Sequence, residues 1–158
     1  MNISAATDYG MRALLQLTEN YLANPEERVT VLEIAEVQKI PVKFLESILR
    51  QLQQSGLINS KRGANGGYRL ARKPKEISVA TVIRILDGPL IAVKGEKPED
   101  HKYTGSAGNL QEVWIAARVA VREIFEEVTL HQIATGALPA KIKRAIDQPG
   151  AWTRRLTI

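Results

Sequence analysis

Ile40-Pro41-Val42-Lys43-Phe44-Leu45-Glu46-Ser47-Ile48-Leu49-Arg50-Gln51-Leu52, followed by Gly56-Leu57-Ile58, decides how this chain is read. Phe44, Leu45, Ile48, Leu49 and Leu52 recur at three- and four-residue spacing, the period of a helix with one buried face. Val42, Lys43, Glu46, Ser47 and Arg50 fall off that face and look outwards. Pro41 suits the first position of the helix, because its missing N–H is one the first turn leaves unpaired anyway. Gly56 is expected to stop the helix in a left-handed conformation.

Upstream, Thr30-Val31-Leu32-Glu33 has the spacing of a capping box, opening a short helix to about Gln38. Leu32, Ile34, Ala35 and Val37 are its core candidates, and Lys39-Ile40 makes the turn between the two helices. Such a pair, the second polar on its outer face near the start, fits a helix-turn-helix. Downstream the period changes. Leu57 to Lys61 and Tyr68 to Ala71 read as short strands around Arg62-Gly63-Ala64-Asn65-Gly66-Gly67, a glycine-rich connection that favours a hairpin. That hairpin is the wing of a winged helix.

Charge follows the same segment. Between Gln38 and Lys75 stand nine Lys or Arg against one acid, Glu46, whereas the whole chain carries only +5. A positive field so concentrated suits a polyanion, because neutralising phosphates releases condensed counterions. Shape and charge together point to duplex DNA as the partner.

The flanks complete the outline. Ser4 to Ala23 reads as a first helix with Tyr9, Ala13, Leu14, Leu17 and Tyr21 on one stripe, ended by Asn24-Pro25. Ser78 caps a short helix from Val79 to Leu86. Residues 89–109 read as a loop rich in Gly and Pro. Asn109 then opens a long helix with Leu110, Val113, Trp114, Ala117, Val121, Ile124, Phe125 and Val128 on a stripe wider than a small head needs. Packing against the same helix of a second subunit is the expected use. Thr129 caps a further short helix, and the tail from Gly136 is weakly patterned. The expected organisation is a winged helix-turn-helix over 1–88, the loop 89–109, a dimerisation region 110–135 and a tail 136–158. The fold class is mainly α with a small β-hairpin wing and a long dimerisation helix.

Composition excludes much. With no Cys there is no disulfide, no thiolate nucleophile and no Cys-ligated metal centre. No phosphate-loop Lys-Ser/Thr step, nucleophile elbow or paired His and acid motif is present, so no catalytic residues are expected. Aromatic residues make up 5%, too few for a surface that stacks single-stranded bases. His101 and His131 lie far apart in sequence, so no metal site is expected. No apolar run reaches the roughly 18–20 residues of a membrane span. The first residues lack a secretory pattern, which gives a cytoplasmic expectation and no membrane partner.

The helix motif Ile40 to Leu49 with Leu52 and Gly56-Leu57-Ile58, and the wing motif Arg62-Gly63-Ala64-Asn65-Gly66-Gly67-Tyr68-Arg69-Leu70, resemble the Rrf-two-type transcription regulators. Ala6-Thr7-Asp8-Tyr9-Gly10-Met11-Arg12-Ala13-Leu14 resembles their first helix, and Ile77-Ser78-Val79 with Val82-Ile83 the helix after the wing. The resemblance covers about residues 1–130. It implies a homodimeric regulator binding a palindromic operator. Its best-known members hold an iron–sulfur cluster through three Cys in the loop before the long helix. Here that loop has none, so no cluster and no other cofactor is expected. The resemblance leaves two inputs open: an effector protein, or a small metabolite bound near the long helix.

The DNA-contact candidates are Pro41, Lys43, Glu46, Ser47, Arg50, Lys61, Arg62, Gly66 and Gly67. A carboxylate facing DNA is costly unless it accepts from a base amino group, and Glu46 can accept from cytosine N4. The family uses a Glu at the matching position to read sequence. The plainer alternative pairs Glu46 with Arg50 on the helix surface. Arg62 leads the wing, where a narrow groove concentrates negative potential. Thr7, Tyr9 and Arg12 are weaker phosphate candidates.

Overall fold

In the computed structural model, which describes residues 2–153, helices α1 (Ala5–Ala23), α2 (Val31–Gln38) and α3 (Val42–Gln54) form a bundle. Strands β1 (Ile58–Lys61) and β2 (Gly67–Leu70) follow as an antiparallel hairpin. Then come α4 (Val79–Leu86), the long α5 (Leu110–Phe125), α6 (Leu130–Thr135) and α7 (Ala140–Ile146). This is a winged helix-turn-helix with an appended long helix.

Local chemistry sets the joints. Thr30 accepts from the Glu33 N–H while Glu33 accepts from the Thr30 N–H at 2.7 Å, so both ends of the capping box are closed. Lys39 takes the left-handed conformation at φ 55° and turns the chain into α3. Pro41 stands one residue before α3 rather than within it, and its carbonyl accepts from Leu45. At the far end Leu57 N–H donates to Leu52 and Gly56 N–H to Gln53, a Schellman closure through Gly56 at φ +72°.

The core gathers Leu14, Leu17, Ile34, Leu45, Ile48, Leu49, Leu52, Leu57, Ile58, Ile77, Val82 and Leu130. Three sequence expectations fail here. Leu32 and Val37 are 64% and 60% exposed, because α2 is only two turns long and spends Ile34 and Ala35 on the bundle. Phe44 is half exposed, lying edge-on to Tyr9 with ring centroids 6.0 Å apart. The tail from Gly136 contains a helix, α7, tied to α5 by Lys141 donating to the Glu123 carboxylate at 3.0 Å. The last five residues of that tail, 154–158, lie outside the described residues.

Val29 exchanges backbone bonds of 2.9 and 2.8 Å with Tyr68, adding a third short edge to the hairpin. Val79 N–H donates to Val128 and Leu130 N–H to Ile77, so the chain returns from α5 to the head and α6 packs on α1. Ser4, the cap of α1, donates its hydroxyl and its N–H to Asp87, the residue closing α4. Burial pushes the Asp87 carboxyl up, but the two Ser4 donations and the nearby Thr7 hydroxyl together outweigh it, and the net displacement is below the ordinary value. A depressed carboxylate stabilises the fold above the ordinary Asp range and loses that contribution as pH falls through its folded value. Asp87→Asn is therefore expected to melt below wild type at neutral pH, with the gap closing in strongly acid buffer. A gap independent of pH would contradict this.

Candidate nucleic-acid interface

The buried face of α3 holds Leu45, Ile48, Leu49 and Leu52, so the opposite face presents Lys43, Glu46, Ser47 and Arg50 to solvent. Gln51 and Gln54 are exposed on the same outer side, one turn further on. Sequence reasoning missed both. Extending the same helical period by a turn would have found them, and an amide is a good partner for adenine.

Glu46 makes no ion pair with Arg50 among the described residues, so the plainer role is not taken up. The Ser47 hydroxyl donates to the Phe44 carbonyl at 3.0 Å, leaving its lone pairs free to accept. Pro41 is exposed at the entry to the helix.

The wing carries Lys61 and Arg62 at its exposed tip. Gly66 and Gly67 serve the hairpin itself. A Cβ on Gly66 would lie 2.5 Å from the Lys61 carbonyl oxygen. On Gly67, at φ +130°, it would lie 2.7 Å from that of Val29. Arg28 braces the hairpin by donating to the Gly67 carbonyl at 3.2 Å. Tyr68 packs against the core beneath.

Of the nine basic residues in the segment, Arg69 alone is engaged, pairing with Glu26. Among the described residues the other eight make no salt bridge or side-chain hydrogen bond. Free cations concentrated on a helix face and hairpin are what a polyanion needs; an internal salt-bridge network would have consumed them. At α1, Thr7 is buried and out of reach of a phosphate. Arg12 is held by Asp8 at 3.4 Å and lies over the Tyr9 ring.

The α5 stripe divides. Val121 and Phe125 pack on the chain's own head with Ala80, Ile83 and Leu90, and Val128 is buried there too. Leu110, Val113 and Ile124 remain exposed, with Ala117 half-buried on the same side. Trp114 is half-buried, and its indole N–H is shielded from solvent with no partner among the described residues.

A family model described as Rrf2, iron-dependent transcriptional regulator, matches residues 3–136. The chain belongs to the Rrf2 family. Rv1287 of Mycobacterium tuberculosis is 40% identical over 147 residues, spanning 93% of this chain and 89% of that protein. The transcriptional regulator CymR of Bacillus subtilis is 30% identical over 135 residues, spanning 85% and 91%. The solved structure of B. subtilis CymR, described as the global cysteine regulator of that organism, superposes with a TM-score of 0.68. Its identity is 29%, covering 86% of this chain and 98% of that one. T. potens IscR gives 0.67 at 29%, covering 87% and 88%. This Rrf2 chain is a DNA-binding transcriptional regulator. Helix α7 lies beyond the matched span.

The residues do not fit the iron in the family's description. The loop has no Cys, its Glu99 is bound to Arg118, and His101 Nε2 is 2.7 Å from the Val93 carbonyl oxygen. Among the described residues no three His, Asp or Glu converge on a common point. Nor is any described helix long and apolar enough to cross a membrane.

Proposed function

We propose that this Rrf2 regulator acts as a homodimer that represses transcription by occupying a pseudo-palindromic operator. Each α3 enters a major groove, with Lys43, Arg50 and Ser47 on phosphates and Glu46 on a base edge. Each wing lays Lys61 and Arg62 against the neighbouring backbone or minor groove. The observation that carries this is the set of four exposed cations on the helix-and-wing face, Lys43, Arg50, Lys61 and Arg62, none paired with an acid among the described residues, in a fold whose relatives are transcription regulators. Exposed Leu110, Val113 and Ile124 support pairing through α5, since a second copy would cover all three.

Two-fold pairing sets the recognition helices about 34 Å, one helical turn, or a multiple apart along the duplex. A signal that alters the angle between head and long helix would break that match and release the operator. Selection of bound sequences from a random duplex pool tests the proposal. The expected result is an inverted repeat with fixed half-site spacing; enrichment of a single unrepeated site would count against the dimer.

Positioning and reading separate by mutation. Arg62→Ala is expected to weaken binding to operator and random duplex alike, because a backbone contact carries no sequence information. Glu46→Ala is expected to relax base preference at one position by about 1–3 kcal/mol with little change on random duplex. Equal losses on both duplexes for Glu46→Ala would remove it from base reading.

A further inference from the structure

Four cations converge where the loop after α4 crosses α5, on the side of the long helix that faces the head. Arg84 of α4, Lys97 of the loop, and Arg118 and Arg122 of α5 line one open pocket with Gly88, Pro89, Leu90 and Ile91, and Glu99 is the lone acid in the lining. Arg118 already seats a carboxylate, that of Glu99, and its side chain is only 15% exposed. Its Nε–H is nevertheless buried with no acceptor, so the guanidinium is left with an unused donor. Arg84 pairs with Glu126 across the junction of head and long helix. Lys97 and Arg122 make no salt bridge or side-chain hydrogen bond among the described residues, and each acts on a carboxylate only through its field, Lys97 on Glu99 and Arg122 on Glu126. Like charges lining one pocket repel, and an anion between them relieves the repulsion. The volume, ≈ 390 Å³, falls within the range of about 300–1,000 Å³ usual for small-ligand sites.

We propose that this pocket binds a small organic anion of two or more negative charges, presenting carboxylate or phosphate oxygens to Arg118 and Arg122 with Lys97 closing over it. The ligand takes over Arg118 from Glu99 and draws Arg84 toward the same anion, so one molecule ties the head, the loop and α5 together. The inference rests on the reading above, in which the angle between head and long helix governs operator binding, and it names the chemistry of the signal. Planar guanidinium forks suit carboxylate and phosphate oxygens in paired geometry, which is why the arginines rather than the lysine set the ligand class.

Calorimetric titration of the full chain at constant ionic strength, with citrate and with pyrophosphate as separate probes, tests it. At least one is expected to bind, and which one does distinguishes carboxylate from phosphate oxygens as the group recognised. Arg122→Gln and Lys97→Gln, exposed groups whose loss breaks no contact of the fold, are each expected to raise the apparent Kd at least tenfold. Lys43→Gln with Arg62→Gln, on the DNA-binding face, should leave it within twofold. Binding lost only in that second pair would place the ions on the DNA face and overturn the proposal, as would silence with both probes. Operator affinity measured with and without the bound probe reads the coupling: a shift in wild type that Arg122→Gln abolishes supports it, and an unchanged affinity overturns it. Failure of the operator reading itself would appear separately, as no duplex binding in the absence of any anion.

Discussion

Val113→Asp is expected to convert the proposed dimer into a 17.5 kDa monomer and to lower operator affinity by at least about a hundredfold. Val113 is 56% exposed on α5 and contributes nothing to the head's core, so the substitution leaves the fold of one subunit intact. In the proposed pairing through α5 it would place a carboxylate from each copy among Leu110, Ala117 and Ile124. Burying an aliphatic side chain there contributes about 1.5–3 kcal/mol, and the seam is built from both copies. A buried unpaired charge reverses that gain. The loss of affinity follows from geometry more than from contacts. Two tethered heads bind the second half-site at high effective concentration, and separate heads do not. Sedimentation at equilibrium checks the mass, and a binding titration checks the affinity. A variant that still sediments as a dimer would move the interface off this face of α5.

Gly67→Ala is the second large effect. The residue sits at φ +130°, a conformation costing other residues about 1–3 kcal/mol, and its Cβ would strike the Val29 carbonyl oxygen. Neither can yield cheaply, because Val29 and Tyr68 are joined by two backbone bonds. The hairpin must lift from Val29, carrying Lys61 and Arg62 out of line with α3. We expect a fall in melting temperature of roughly 5–10 °C and a loss of duplex affinity exceeding that of Arg62→Ala alone. Gly63→Ala is the control. It too has a positive φ, at +102°, but nothing stands within 4 Å of its Cβ, so it carries the backbone cost without the displacement. Equal effects from the two variants would show that backbone conformation, and not contact with Val29, positions the wing.

Signals that act within a few residues of chain were legible in the sequence. The Thr30 and Glu33 box, the left-handed stop at Gly56, the Ser78 cap and the hairpin's turn each depend on one side chain and its nearest backbone. Orientation was less legible, because an apolar residue does not say what it will meet. Leu32 and Val37 carry the same chemistry as Ile34, yet they lie off the side that two turns of α2 press against the bundle. Val121 and Phe125 share a stripe with Val113, but the stripe is wide enough to face both the head and the open side. Only the return of the chain through Val128 and Leu130 decides which residues meet the head. Pocket chemistry was the least visible. Arg84, Lys97, Arg118 and Arg122 span 39 residues and are brought together by the crossing of α4, loop and α5. Glu46 and Arg50 show the converse: spacing allowed a pair that the structure leaves open.

The most direct measurement is the salt dependence of duplex binding by the full chain, set beside that of Lys43→Ala/Lys61→Ala/Arg62→Ala. A helix-and-wing surface working through phosphates predicts a steep linear fall of log K with log salt. Its slope should become shallower by about one for each phosphate contact removed. The same slope in both proteins, or an affinity for duplex no greater than for a neutral polymer, would contradict the account.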